Sequence, residues 1–233
     1  MEQHAGKWLD TFRSGAAVVY IAALAGFSSL ALARGNAEFL FYGLVTIVLA
    51  GVVLALDRGV RLSHLAIGGL VVWAIMHLAG GTVAIGEDQV LYNWRPGEWL
   101  PKHDQSVHGS SLRARALRTV VEWLPKYDQA VHFFGFAVAT LVAWECLAHA
   151  IERRTGQMPR ATTGLVTGAA LIGMGLGGMN EVVEFIATLT IPDTNVGGYE
   201  NTGWDLVSNL TGCVAMALWI RAARQSSKLK AES

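Results

Sequence analysis

The sequence predicts an all-α, polytopic transmembrane helix bundle of about six spans with one long extracytoplasmic loop. Three observations predict it. Of 233 residues, 52% are hydrophobic and only 15% charged, and the mean hydropathy is +0.38. A soluble domain carries roughly 25% charged residues, so much of this surface is expected to face lipid. The apolar residues also gather into runs of the length a helix needs to cross a bilayer, about 20 residues. Finally, one run is dense in glycine (Gly164, Gly168, Gly173, Gly175, Gly177 and Gly178). That would weaken a soluble helix, but in lipid it lets neighbouring backbones approach.

The expected spans are residues 15–33, 38–56, 62–80, 127–151, 162–189 and 203–220, with an outer loop over 81–126, all in a single membrane domain covering 1–233. The first run follows Lys7 and Arg13 and ends in Ala31-Leu32-Ala33, which resembles a signal-peptide cleavage site. A signal-peptide apolar region is about 7–15 residues long, so the longer 15–33 run is read as a retained span. The glycine-rich fifth span is the expected bundle centre.

Eighteen basic and eighteen acidic residues balance to zero net charge, which gives no reason to expect nucleic-acid binding. Cys146 and Cys213 sit in apolar runs and imply no disulfide framework. Lys and Arg set the expected orientation. With cytoplasmic termini, the inner side receives Lys7, Arg13, Arg58, Arg61, Arg153, Arg154, Arg160 and the basic C-terminus, and the loop between spans five and six has no Lys or Arg. The long outer loop carries several basic residues, which its length allows it to translocate. A multi-pass membrane protein with both termini cytoplasmic is the expectation.

The long loop holds a repeat. Residues Glu98 to His108 (EWLPKHDQSVH) are nearly restated by Glu122 to His132 (EWLPKYDQAVH). Only the second copy runs on into an apolar helix, so the first is read as a vestigial duplicate or an interfacial segment. Trp94, Trp99 and Trp123 suit the headgroup level.

Ionisable residues inside spans are costly and need partners, water or a metal. His77 lies near the outer end of span three. Asp128 and His132 open span four, Glu181 and Glu184 lie in the outer part of span five, and Asp205 and Asn209 open span six. Under one topology they share a level, and each i,i+3 or i,i+4 pair shares a helix face. Glu181 and Glu184 have no Lys or Arg in their own helix. A cation would relieve their repulsion, and mixed imidazole and carboxylate donors suit Zn, Fe or Mn. The expected metal ligands are His77, Asp128, His132, Glu181, Glu184 and Asp205, with Glu181 and Glu184 also the catalytic candidates and Asn180 and Asn209 in support. Bland readings compete singly: a packing His132, Asp128 as a helix cap, Asp205 in a first turn, a neutral Glu184 bonded to Asn209. They do not account for the two glutamates together. Glu145 and His149, toward the inner end of span four, are assigned to structure near Arg153 and Arg154.

Tyr127-Asp128-Gln129-Ala130-Val131-His132-Phe133-Phe134-Gly135, then Asn180-Glu181-Val182-Val183-Glu184-Phe185, then Gly203-Trp204-Asp205 with Asn209 resemble motifs of the YjdF-like bacterial inner-membrane proteins: D-x-x-x-H-F, Y-E-x-x-E-W and W-D-x-x-x-D. His77 followed by Gly80 resembles that family's H-x-x-G element, and the resemblance runs from about Leu70 to Met216. More distantly, the pattern is similar to VanZ-like membrane proteins. Asn209 stands where the YjdF-like pattern tends to have Asp, and Asn180 where it tends to have Tyr. The resemblance implies the fold and the site, and it implies no activity.

The leading expectation is a metal-dependent membrane enzyme, a hydrolase or an oxidase, acting on a lipid or lipid-linked substrate at the outer leaflet. The alternative is a cation or proton transporter or sensor using the same carboxylates. A haem protein with His77 and His132 as axial ligands is disfavoured by the crowding carboxylates, and a scaffold would use the cluster only for packing. Membrane lipid is the expected partner, with a second copy of the chain a further candidate.

Overall fold

A computed structural model describes residues 2–85, 89–96 and 124–232, with the side chains of 10–85, 89–96 and 124–225. Six helices dominate: α1 (Glu2–Ala33), α2 (Ala37–Val60), α3 (His64–Thr82), α4 (Tyr127–Thr155), α5 (Thr163–Thr190) and α6 (Tyr199–Glu232). All six are long and apolar enough to cross a membrane. Between α3 and α4 a short 3₁₀ turn, Leu91–Asn93, follows an isolated bridge from Ala84 to Val90. The first copy of the repeat lies outside the described residues, as does most of the loop expected over 81–126.

The helix ends follow from local chemistry. Asn36, Ser63 and Thr162 cap α2, α3 and α5 by accepting the N–H of Phe39, Ala66 and Leu165. At the start of α4 the Gln129 side chain accepts the Lys126 N–H at 2.9 Å, one arm of a capping box. Gly35 (φ 66°) and Gly156 (φ 72°) end α1 and α4 in the left-handed region that glycine adopts without penalty. Arg61 adopts it too (φ 55°), and the tight α2–α3 turn around it is fixed from outside. Asp57 Oδ1 accepts the Leu62 N–H at 2.8 Å, and the Arg13 guanidinium reaches both Asp57 (2.8 Å) and the Leu62 carbonyl (2.9 Å).

Packing centres on α4, which touches α2, α3, α5 and α6, while α1 packs on α2 and α3. This corrects the expectation that the glycine-rich helix is the centre: 61% of the apolar window of α4 is buried, against 17% for α5. The reason is that four of the six α5 glycines (Gly164, Gly168, Gly175 and Gly178) face open space. Only Gly173 and Gly177 lie against neighbours, where a Cβ would meet Thr140 and Asn209. The tightest approach is elsewhere. A Cβ on Gly212 of α6 would lie 2.1 Å from the Phe133 carbonyl of α4, so these two helices meet backbone to side-chain-free backbone.

The two ends of the bundle differ. At the end bearing Arg58, Arg61, Arg153 and Arg154, an apolar core fills the interior: Leu62, Ala66, Leu141, Trp144, Val166 and Ile220 with their neighbours. Phe136, Ala139 and Cys213 continue it toward the middle. The other end, where the α3–α4 connection lies, holds the polar cluster.

Candidate metal centre

α4 enters from the loop end, so Asp128 and His132 fall in its first two turns, on one face. α5 runs the opposite way and brings Glu181 and Glu184 to the same level near its C-terminus. α6 returns with Asp205 and Asn209, and because it begins at Tyr199 rather than at 203, Asp205 lies in its second turn. The extra turn adds Asn201, four residues before Asp205, to the same face.

His132 is the hub and is 5% exposed. Its Nε2 lies 3.6 Å from Asp128 Oδ1 and 3.8 Å from Glu184 Oε1, and its Nδ1 lies 3.7 Å from Glu181 Oε1. Asn209 Oδ1, 3.0 Å from Nδ1, can accept the ring hydrogen there, the tautomer in which Nε2 is free to ligate. Two overlapping triads result, Asp128–His132–Asp205 and His132–Glu181–Glu184, and within each the donor atoms lie no more than 4.8 Å apart. Ligands about 2.0–2.1 Å from a tetrahedral ion stand about 3.4 Å from one another. Asp128 and Glu184, 3.6 and 3.8 Å from Nε2, stand nearest that spacing, and the other donors of each triad must draw in from as much as 4.8 Å to share one ion.

The hydrogen bonding of these acids is incomplete. Asn180 Nδ2 donates to Glu184 at 2.8 Å, and Asn201 Nδ2 to Asp205 Oδ2 at 2.7 Å. Both oxygens of Glu181 and the Oδ1 of Asp205 are buried without a well-formed hydrogen bond, with Asn180 and Asn209 close to Glu181 and Asp128 close to Asp205, although the Glu181 side chain is only 10% exposed and Asp205 only 1%. Buried acceptors are satisfied in the great majority of cases, so three orphans in one cluster mark a place prepared for something else. The donor set fits Zn, Fe or Mn, the ions its chemistry implies.

Of the expected ligands, His77 stands apart from both triads. Its Nδ1 meets the Tyr92 hydroxyl at 2.5 Å, and that hydroxyl also donates to the His77 carbonyl at 3.0 Å. Burial pushes the Tyr92 phenol well above its usual range, so it keeps its hydrogen. Asn209 bonds His132 and not Glu184, and Asp128 sits inside the first turn while Lys126 holds the cap position. Glu145 accepts the Ser63 N–H at 2.8 Å and so helps to start α3, the structural role expected for it.

Asp128 and Glu184 of the cluster reach a cavity of about 230 Å³, whose lining also includes Lys126, Asn201, Glu38, Tyr42, His77 and Tyr92 but not His132, Glu181 or Asp205. Glu38, Tyr42 and Asn201 were not singled out from the sequence. Glu38 and Tyr42 are four apart at the outer end of α2, and Asn201 is four before Asp205, so the spacing that found the other pairs carries the same signal here.

Fold and site together define a polytopic membrane protein with a carboxylate–imidazole centre at one end of the bundle. Residues 14–226 match the family described as predicted membrane protein (DUF2238), and the chain belongs to that family. YjdF is a member of it, while the likeness to VanZ-like proteins finds no support. No curated protein and no solved structure matches the chain.

Proposed function

We propose that the chain is a metal-dependent membrane enzyme of a bacterial inner membrane, with both termini cytoplasmic, acting at the outer leaflet on a lipid or lipid-linked substrate. The observation that carries this reading is the set of three orphaned carboxylate oxygens, on Glu181 and Asp205, gathered around His132 beside an open cavity. His132 Nε2 with one triad's carboxylates would hold a Zn, Fe or Mn ion, which supplies Lewis acidity toward an ester or phosphoryl oxygen. Of the remaining carboxylates, Asp128 or Glu184, which line the cavity, could take a proton from an attacking water. Asn209 holds the His132 ring in one tautomer, and Asn180 and Asn201 orient Glu184 and Asp205. Hydrolysis is the simplest chemistry for this arrangement, and iron in the same donors would suit oxidation.

A cation or proton transporter is the second reading. It requires a polar path through the bundle, and the apolar core from Phe136 down to Ile220 favours a pocket closed at its inner end.

The test is elemental analysis of detergent-purified protein alongside Glu181→Gln and Glu184→Gln. A stoichiometric transition metal that falls in either variant, with loss of turnover of lipid esters, supports the reading. Metal content and activity that survive both changes refute it. Metal or proton flux into liposomes would move the assignment to transport.

A further inference from the structure

The cavity has a second wall that the metal reading does not use. Glu38 and Tyr42 lie one turn apart on α2, and each is 5% exposed. One Glu38 oxygen, Oε2, accepts the Asn195 N–H at 2.7 Å. A carboxylate has about four acceptor positions, so most of its capacity is open. The Tyr42 hydroxyl is buried, and its polar neighbour is the Glu38 carboxylate one turn away. The His77 ring packs edge-on to that of Tyr42 with centroids 5.4 Å apart. The Tyr92 hydroxyl lies against both Nδ1 and the carbonyl of His77, so Nε2 is the ring nitrogen without a protein hydrogen bond, and it accepts in the tautomer that carries its hydrogen on Nδ1. Glu38, Tyr42 and His77 thus bring three groups able to accept to the lining of one cavity.

We propose that this wall binds a primary ammonium group. Such a group has three N–H donors, all on one atom, and Glu38, the Tyr42 oxygen and His77 Nε2 offer three acceptors. A quaternary ammonium donates no hydrogen bond and would leave the Tyr42 hydroxyl and Glu38 as they are. A metal ion is poorly served, because neither Glu38 nor His77 belongs to a triad of donors close enough to share one among the described residues. Lys126 does not fill the role: its Nζ is held at the mouth by Asn201 Oδ1 at 3.4 Å. There, with the Gly197 and Gly198 backbone on the same lining, it suits an anionic group attached to the amine. An aminoethyl phosphate headgroup carries both charges, and a free amine carries one.

This assignment rests on reading the cavity as the substrate site, and it gives that substrate a chemical class. The experiment is native mass spectrometry of the detergent-purified full chain equilibrated with equal amounts of phosphatidylethanolamine and phosphatidylcholine. The wild type should retain the former over the latter by about ten-fold, the scale of hydrogen bonds to a charged group. Tyr42→Phe and Glu38→Gln, both close in shape, should each erase most of that preference. Displacement of the lipid by ethanolamine at matched concentration would assign the site to a free amine, and resistance to it would assign the site to the lipid headgroup. Equal retention of both lipids by the wild type, or a preference untouched in both variants, overturns the proposal. Metal content measured on the same samples keeps the two ideas separate: a preference that persists in protein without metal preserves the ammonium site and removes the metal enzyme.

Discussion

The two ends of the bundle treat buried charge in opposite ways. At the arginine-rich end three acids have partners. Asp57 holds Arg13 and the Leu62 N–H, Glu145 holds the Ser63 N–H, and the exposed Asp10 lies 3.7 Å from Arg61. At the opposite end Glu181 and one oxygen of Asp205 lack a well-formed hydrogen bond, beside an imidazole shared among four carboxylates. Both ends are built from the same residue types, so the contrast is one of purpose. Matched groups there hold the turns together, whereas the unmatched groups here cost stability, and on the proposed reading a ligand would recover that cost.

The largest expected effect tests that contrast directly. His132→Ala should abolish stoichiometric metal and, with it, activity, because both triads lose their common donor. Asp205→Asn and Glu181→Gln compared by metal content then sharpen it: whichever triad holds the ion should lose it, while the other variant keeps the ion and loses turnover by about 10²–10⁴-fold, as expected for a missing proton acceptor.

Next comes packing. Gly212→Ala must push α6 from the Phe133 carbonyl. It should destabilise the protein by about 1–3 kcal/mol in chemical unfolding and weaken metal retention, since the same contact sets Asp205 and Asn209 against His132. An unfolding midpoint equal to wild type would show that this approach is not what aligns the cluster.

The inner end should respond in stability alone. Arg13→Leu leaves the partly buried Asp57 carboxylate without its cation and should cost about 1–3 kcal/mol, with metal content unchanged. The smallest effect is expected of Glu145→Gln, within about 1 kcal/mol, because an amide oxygen can still accept from Ser63 N–H. Metal loss in either variant would erase the distinction between the two ends.

Much of this was legible before any coordinates. The six spans follow from run length and hydropathy, and Asp128, His132, Glu181, Glu184, Asp205 and Asn209 follow from paired spacing at one depth. What stayed hidden has physical causes. A glycine counts toward close packing only on the face that meets a neighbour, and the sequence does not say which face of α5 that is, so α5 displaced α4 as the expected centre. His77 shares the depth of the cluster but is claimed by Tyr92, a loop residue whose return to α3 no periodicity announces. Glu38 sits in a first turn, where an acid is ordinarily explained by the helix dipole. Its burial comes from the backbone of residue 195, far along the chain.

The apolar core beneath the cluster has an electrical consequence. A charge feels the transmembrane voltage only in proportion to the part of the field it crosses, about 2.3 kcal/mol per elementary charge for the full 100 mV. With oil-like packing on one side and an open mouth on the other, the voltage drop falls mainly across the layer from Phe136 to Ile220. The centre then rests near the potential of the solution at its mouth. On the proposed reading, its protonation and metal loading would answer to the pH and metal supply of that one compartment, and polarising the membrane would leave them nearly unchanged.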